Sequence, residues 1–270
     1  MSLKNIFTEL RWFLDGNTDI RYLWEHNCHI WDNDWYRWYC KKEGAIYSLE
    51  QMRMQDKDIP DEYYDLGFVY GHGWRKWGKD QVAMIINTLK TNPDDRRMLV
   101  SAWNVEQLDN CALPPCHYSW QVWTRELTIE ERFVFFNKKH NLEDEEKFQK
   151  NDIEDEHKEA FLIGIPKRAI SLIFNARSQD VLLGTPYNIA SYAMLLMMIA
   201  NEVNMIPEEL IGNLGDCHIY ENQINGCDEQ LNRRPTSLPQ LSISKGLNAQ
   251  YEDLVLTNYN PQPKIFFPLS

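Results

Sequence analysis

The stretch AISLIFNARSQDVLLGTPYNIASYAMLLMMIANEV (169–203) decides the fold. Its opening, AISLIFNAR (169–177), is a short apolar run ended by an arginine and reads as a strand. Residues 188–203 (NIASYAMLLMMIANEV) are apolar on nearly all sides of a 3.6-residue period, which predicts a helix buried at the centre of the molecule. A strand leading into a central helix implies helices layered on a sheet.

Outward from that segment the elements follow the same logic. LKNIFTELRWFL (3–14) has apolar groups at helical spacing and stops at Gly16-Asn17, and a short helix is expected over 18–26. Residues 30–75 are rich in Trp and Tyr and read as irregular turns, whereas 80–92 form an amphipathic helix that stops at Asn92-Pro93. MLVSAWN (98–104) and HYSWQVWT (117–124) read as strands. Pro207 is expected to start a helical turn, and the glycine-punctuated LIGNLGDCHIY (210–220) to end in a strand. From about 239 the tail reads as extended segments closing on PKIFFPLS. Residues 126–165 stand apart, because 143–159 are dominated by Glu, Asp and Lys, and they read as a solvated excursion between two strands. The expected fold class is α+β: one domain spanning 1–270, a mixed β-sheet packed by helices, with a charged surface insertion at about 126–165.

Composition limits the functions available. The chain has 270 residues, 43% of them hydrophobic, enough for one sizeable core. A net charge of −12 argues against general nucleic-acid binding, so an anionic ligand needs a local concentration of arginines. The six cysteines form no CxxC pair and no disulfide framework, and no apolar run approaches membrane-spanning length. A reducing cytoplasm with free thiols is expected, with no membrane and no DNA partner.

One of those thiols sits in ALPPCH (112–117), where two prolines fix the backbone before Cys116 and His117 follows. A buried, inert Cys is the bland reading, and no Cys or His pair at ligand spacing points to a metal. Arg96-Arg97 precede one strand and Arg177 ends another. An arginine beside Cys116 is expected to depress its pKa and supply thiolate, and guanidinium groups clamp phosphate. Thiolate plus phosphate clamp points to a nucleotide, and here composition and spacing stop.

Several motifs then match one family in order. NARSQDVLLGTPYNIASYA (175–193) resembles the signature of the thymidylate synthases, and LPPCH (113–117) resembles their nucleophile motif. DDRRMLVSAWN (94–104), ELRWFLDGNTDI (9–20), LGFVYGHGWRKW (66–77) and LGDCHIYENQ (214–223) are similar to further family segments. The resemblance implies reductive methylation of dUMP by 5,10-methylenetetrahydrofolate, with Cys116 adding to C6. It implies that Glu9 relays protons near uracil O4, and that Tyr70 and His117 belong to the network around the base. Arg177 and Ser178 would hold the phosphate, joined by Arg96 and Arg97 from the second subunit of a homodimer. Asn188 would read the pyrimidine edge, Gln121 would order the site near the base, and His218 and Tyr220 would bind the 3′-hydroxyl. Ile30, Trp31, Leu113, Asp180, Leu183, Gly184 and Tyr187 would shape the folate site, with Asp180 on the pterin.

The match has departures. Family members begin several dozen residues earlier, with a loop carrying another phosphate-binding Arg. Ala176, Tyr187, Gln223 and Gln262 stand where Gln, Phe, His and His are usual. The insertion is similar to one in some Bacteroidetes-type enzymes, which suggests such a bacterium or its phage as source. Two alternatives share the same residues: a phage deoxyuridylate hydroxymethylase, in which water replaces hydride, and an inactive truncated homologue that only binds nucleotide.

Overall fold

A computed structural model of the chain describes residues 1–55, 57–143 and 146–268. The helices are α1 (Leu3–Leu14), α2 (Ile20–Glu25), α3 (Asp32–Glu43), α4 (Leu49–Arg53), α5 (Tyr70–Arg75), α6 (Gln81–Thr91), α7 (Ile129–Lys139), α8 (Lys158–Phe161), α9 (Gly184–Glu202) and α10 (Ile224–Leu231). The strands are β1 (Leu99–Ser101), β2 (His117–Glu126), β3 (Arg168–Asp180), β4 (Ile206–His218), β5 (Gln240–Ile243) and β6 (Leu254–Thr257). The main sheet runs β1-β2-β3-β4, antiparallel except for the parallel pair β3–β4, and β5–β6 form a separate hairpin. This is the expected α+β class with one mixed sheet.

The central unit is β3-α9-β4. A parallel return needs a crossover, and the all-apolar α9 supplies it while packing on both strands. Tyr192 of α9 stacks on Phe174 of β3 at 4.5 Å between centroids. The amphipathic α1 closes the layer against α9 and α5, burying Ile6, Leu10, Trp12 and Phe13. Ser2 caps α1 and Asp80 caps α6, each side chain accepting a first-turn N–H. One irregularity matters for function. The β2–β3 register shifts between His117 and Ser119, as at a bulge. Strict alternation would place odd-numbered His117 opposite Trp120 and Val122. The extra residue returns it to their buried inner face.

Three expectations are corrected. Pro207 lies inside β4 and starts no helical turn, and the strand begins there rather than at the end of 210–220. β4 is an edge strand, where a proline forfeits little ladder bonding. Its Gly212 marks close packing, since a Cβ there would stand 2.8 Å from the Phe174 ring. Residues 30–75 are more regular than the aromatic composition suggests. Trp35 and Tyr39 lie one turn apart on α3 and stack at 5.9 Å, and Tyr64 stacks on the other side of Trp35.

The segment between β2 and β3 is not simply a solvated excursion. It carries α7, capped by a Thr128–Glu131 capping box, and α8. Phe133, Leu162 and Ile165 are buried together, with Phe135, Phe136 and Phe161 packed around them, apart from the main core. Ion pairs fix its base, among them Arg132 on Glu159 at 2.6 Å and Arg125 on Glu131 at 2.7 Å. Phe133→Ala is expected to cost this satellite core about 3 kcal/mol. Limited proteolysis should then cut within 129–165 while the main thermal transition moves little. A large drop of the main transition would show that the two cores are one.

Candidate active site

The loop before β2 delivers Cys116 to the end of β3. The Arg177 backbone N–H donates to the Cys116 carbonyl at 2.8 Å, extending the strand pairing by one rung past His117–Ala176. The same residue's guanidinium donates from Nε to the Pro115 carbonyl (2.9 Å) and from Nη2 to the Pro114 carbonyl (2.8 Å). Prolines cannot satisfy each other's carbonyls, so this clamp closes the loop. Nη2 also lies 4.0 Å from Cys116 Sγ, and the guanidinium sits over the Trp103 ring at 5.6 Å.

The electrostatics differ from the sequence expectation in one respect. Burial pushes the Cys116 thiol above its ordinary value, Arg177 pulls it back, and Asp34 adds a smaller upward push. The net direction is up, because desolvation outweighs a single guanidinium already shared among two carbonyls. In the free chain Cys116 is therefore held as a thiol, with the Arg177 guanidinium beside it.

Around it runs a chain of aromatic contacts. Tyr70 Oη accepts from the Cys116 N–H at 2.8 Å, and its ring stacks on His117 at 4.1 Å. His117 Nδ1 and Tyr192 Oη are 2.8 Å apart. Burial lowers His117 to about 3 and raises both tyrosines well above their usual value, so at neutral pH all three are uncharged. Trp31 lies against Tyr70 and donates its indole N–H to Glu9 Oε1 at 2.7 Å. Desolvation raises Glu9 to about 7, against the lowering by Trp31.

A second cluster forms where β3 ends and α9 begins. Asp180 Oδ1 accepts from the N–H groups of Leu182 (2.9 Å) and Leu183 (3.1 Å), and its Oδ2 accepts from Gln223 at 3.1 Å. Asn188 Nδ2 donates to Gln179 Oε1 at 3.3 Å. Register places Ser178 beside Asp216 and Asp180 beside His218, whose ring meets Tyr220 at 4.9 Å. Ile30, Leu113 and Tyr187 are half-buried apolar groups on the main core, and Gly184 opens α9.

The structure thus brings together Glu9, Trp31, Tyr70, Cys116, His117 and Arg177, and separately Ser178, Asp180, Leu183, Gly184, Asn188, His218 and Tyr220. Arg96, Arg97 and Gln121 fall elsewhere. Gln121 alternates onto the outer sheet face and reaches the Arg96 carbonyl at 3.5 Å, and Arg97 stands 91% exposed with Asp95 at 3.8 Å. The sequence reading missed Gln179 as an anchor of Asn188, Tyr192 as the partner of His117, and Gln223 as a donor to Asp180. Both glutamines are 1% exposed, Gln179 near the end of β3 and Gln223 at the turn into α10, and neither motif nor periodicity marks such burial in advance. Leu269 and Ser270, the end of the tail expected to close over ligands, lie outside the described residues.

Glu9 gives a pH test with a defined sign. Its folded-state value of about 7 lies above the 4.5 of an ordinary glutamate. Stability from the protonated form is complete below pH 4.5 and is lost as pH rises through 7. Glu9→Gln should therefore melt a few degrees above the parent at pH 8, with the gap closing toward pH 4.5. Equal melting at both pH values would contradict the burial-raised carboxyl.

A family model described as thymidylate synthase matches residues 1–270. A thymidylate synthase of Listeria monocytogenes serovar 1/2a is 33% identical over 303 aligned residues, covering 99% of this chain and 83% of that protein. One from Listeria innocua serovar 6a is 32% identical with the same coverage.

Proposed function

The chain belongs to the thymidylate synthase family and has its methyltransferase activity, and on that premise we propose how its residues convert dUMP to dTMP. The co-substrate, 5,10-methylenetetrahydrofolate, supplies the one-carbon unit and the hydride when bound. A flat ring system with N–H donors fits the residues available: aromatic and aliphatic walls at Trp31, Ile30, Leu113 and Tyr187, and an anchored carboxylate at Asp180.

Cys116 Sγ adds to C6 of the uracil, which makes C5 nucleophilic. The observation that carries this reading is the clamp of Arg177 on the Pro114–Cys116 loop, with its guanidinium beside the sulfur. Arg177 and Ser178 hold the phosphate, and His218 and Tyr220 the 3′-hydroxyl. Gln179 takes one N–H of Asn188, leaving its second N–H for uracil O4 and its oxygen for N3–H. Tyr70 keeps its proton at neutral pH, so it acts by hydrogen bonding where the C5 proton departs. Glu9, near 7, is poised both to give and to take a proton at O4.

The working unit is a homodimer of one catalytic domain, 1–270, interrupted at 126–165. Its support is the outer face of the sheet, where Leu99, Gln121, Ile173 and Ile211 stand in register across all four strands. Leu99 is 46% and Ile211 39% exposed, and with Ile173 they make a largely apolar row around Gln121 that suits a second copy. The face also carries Gln121, whose bond to the Arg96 carbonyl supports a position of the arginine pair at its border. Arg96 and Arg97 then complete the phosphate site of the second copy. Six free thiols support a reducing cytoplasm.

One experiment tests nucleophile and assembly together. Cys116→Ala and the double variant Arg96→Ala/Arg97→Ala should each lose nearly all formation of dTMP and dihydrofolate. Co-expressed, they should recover about one quarter of parent activity, from the single intact site of each mixed dimer. No recovery contradicts cross-subunit donation. A 5-hydroxymethyl product without dihydrofolate contradicts the reductive reaction.

A further inference from the structure

Resting on the folate reading of Asp180, we propose that Gln223 is the positioning residue through which the docked C-terminal tail sets the orientation of the Asp180 carboxylate. Gln223 sits at the turn into α10, is 1% exposed, and is bonded through both its amide oxygen and its amide nitrogen. Its Oε1 accepts from the Tyr220 N–H at 3.4 Å. Its Nε2 donates to Asp180 Oδ2 at 3.1 Å and to the Pro268 carbonyl at 3.2 Å. An amide nitrogen has two hydrogens, and here one serves the carboxylate and the other the tail. Rotation of the amide away from either partner breaks both bonds.

Asp180 depends on that donor for its plane. Its Oδ1 is fixed by the Leu182 and Leu183 N–H groups, which leaves the carboxylate free to swing about that oxygen until Oδ2 is also held. A hydrogen bond to a carboxylate is among the stronger neutral-to-charged contacts, and here its donor, Gln223, is buried while Asp180 is half-buried.

An independent contact shows that the tail is seated and not merely nearby. A Cβ at Gly226 would stand 2.5 Å from Phe267 Cε1 and 3.1 Å from Ile265 Cγ2, so only glycine lets the tail lie against α10. Farther back, Gln262 donates to the Arg234 carbonyl at 2.8 Å. Tail backbone, Gln223 amide and Asp180 carboxylate form one string. Seating the tail and aiming the carboxylate are a single event.

The test uses the full chain without turnover. Tetrahydrofolate binding to the dUMP-loaded protein is followed by tryptophan fluorescence, dUMP binding by calorimetry, and tail docking by amide hydrogen exchange over 262–268 in the ligand-free protein. Gln223→Glu keeps the shape but removes both N–H donors and adds a charge facing Asp180. It should weaken tetrahydrofolate binding about tenfold, leave dUMP binding within about twofold, and speed exchange of the tail amides. Gly226→Ala leaves the Gln223 amide and the Asp180 carboxylate chemically unchanged, yet should give the same split by unseating Phe267. Parallel losses of folate and dUMP affinity overturn the proposal. So does parent-like tail exchange in Gln223→Glu, or a freed tail in Gly226→Ala with parent folate affinity. If Gln223→Glu does not fold, Gly226→Ala decides by the same split. A parent chain that binds dUMP but no folate overturns the folate reading itself, and the proposal falls with it.

Discussion

The grip of Arg177 on the Pro114–Cys116 loop is the contact on which the site depends. Two consecutive prolines stiffen the approach to β2 but leave carbonyls with no strand partner. Arg177 satisfies them with one planar fork and binds the Cys116 carbonyl with its own backbone N–H. Its place at the end of β3 is fixed in turn by the pairing of β3 with β2 and β4, and by α9 packed beneath. Cys116 is thus held by the sheet, although it lies on a loop.

That grip has an electrostatic cost as well as a benefit. The loop's burial raises the thiol, and the arginine that counters this is shared with two carbonyls and the Trp103 ring. The resting site is therefore almost uncharged: neutral His117, two protonated tyrosines and a Glu9 balanced near 7. In the proposed reaction such a site reserves its charge for the moment of addition, when the developing thiolate meets a fixed guanidinium in a partly dry pocket.

Elements whose own periodicity matched their burial were legible in the sequence. Helix α1 has one apolar face, α9 is apolar all round, and β2 and β3 are short apolar runs, and all four appear where expected. Strand β4 was obscured because it is an edge strand with an exposed face. Its Pro207 and glycines are tolerated there for reasons of pairing and of the Phe174 ring, which local propensity does not encode. Helix α3 was hidden by its aromatics, whose stacking partner Tyr64 lies more than twenty residues away. The small core of the 126–165 segment was masked by the charges around it. In the site, Cys116, Arg177, Glu9 and Asn188 were named by motif. Gln179 and Gln223 were not, since their roles arise only when β3, α9 and the tail converge.

Cys116, held by Arg177, is proposed to form a bond to C6 of a uracil nucleotide. Its most direct measurement is peptide-resolved mass spectrometry of the full chain incubated with 5-fluoro-dUMP and 5,10-methylenetetrahydrofolate. A covalent ternary adduct on the peptide containing Cys116, absent from the other five cysteines and greatly slowed by Arg177→Ala, is the result expected. No adduct, or one on a different cysteine, would contradict it.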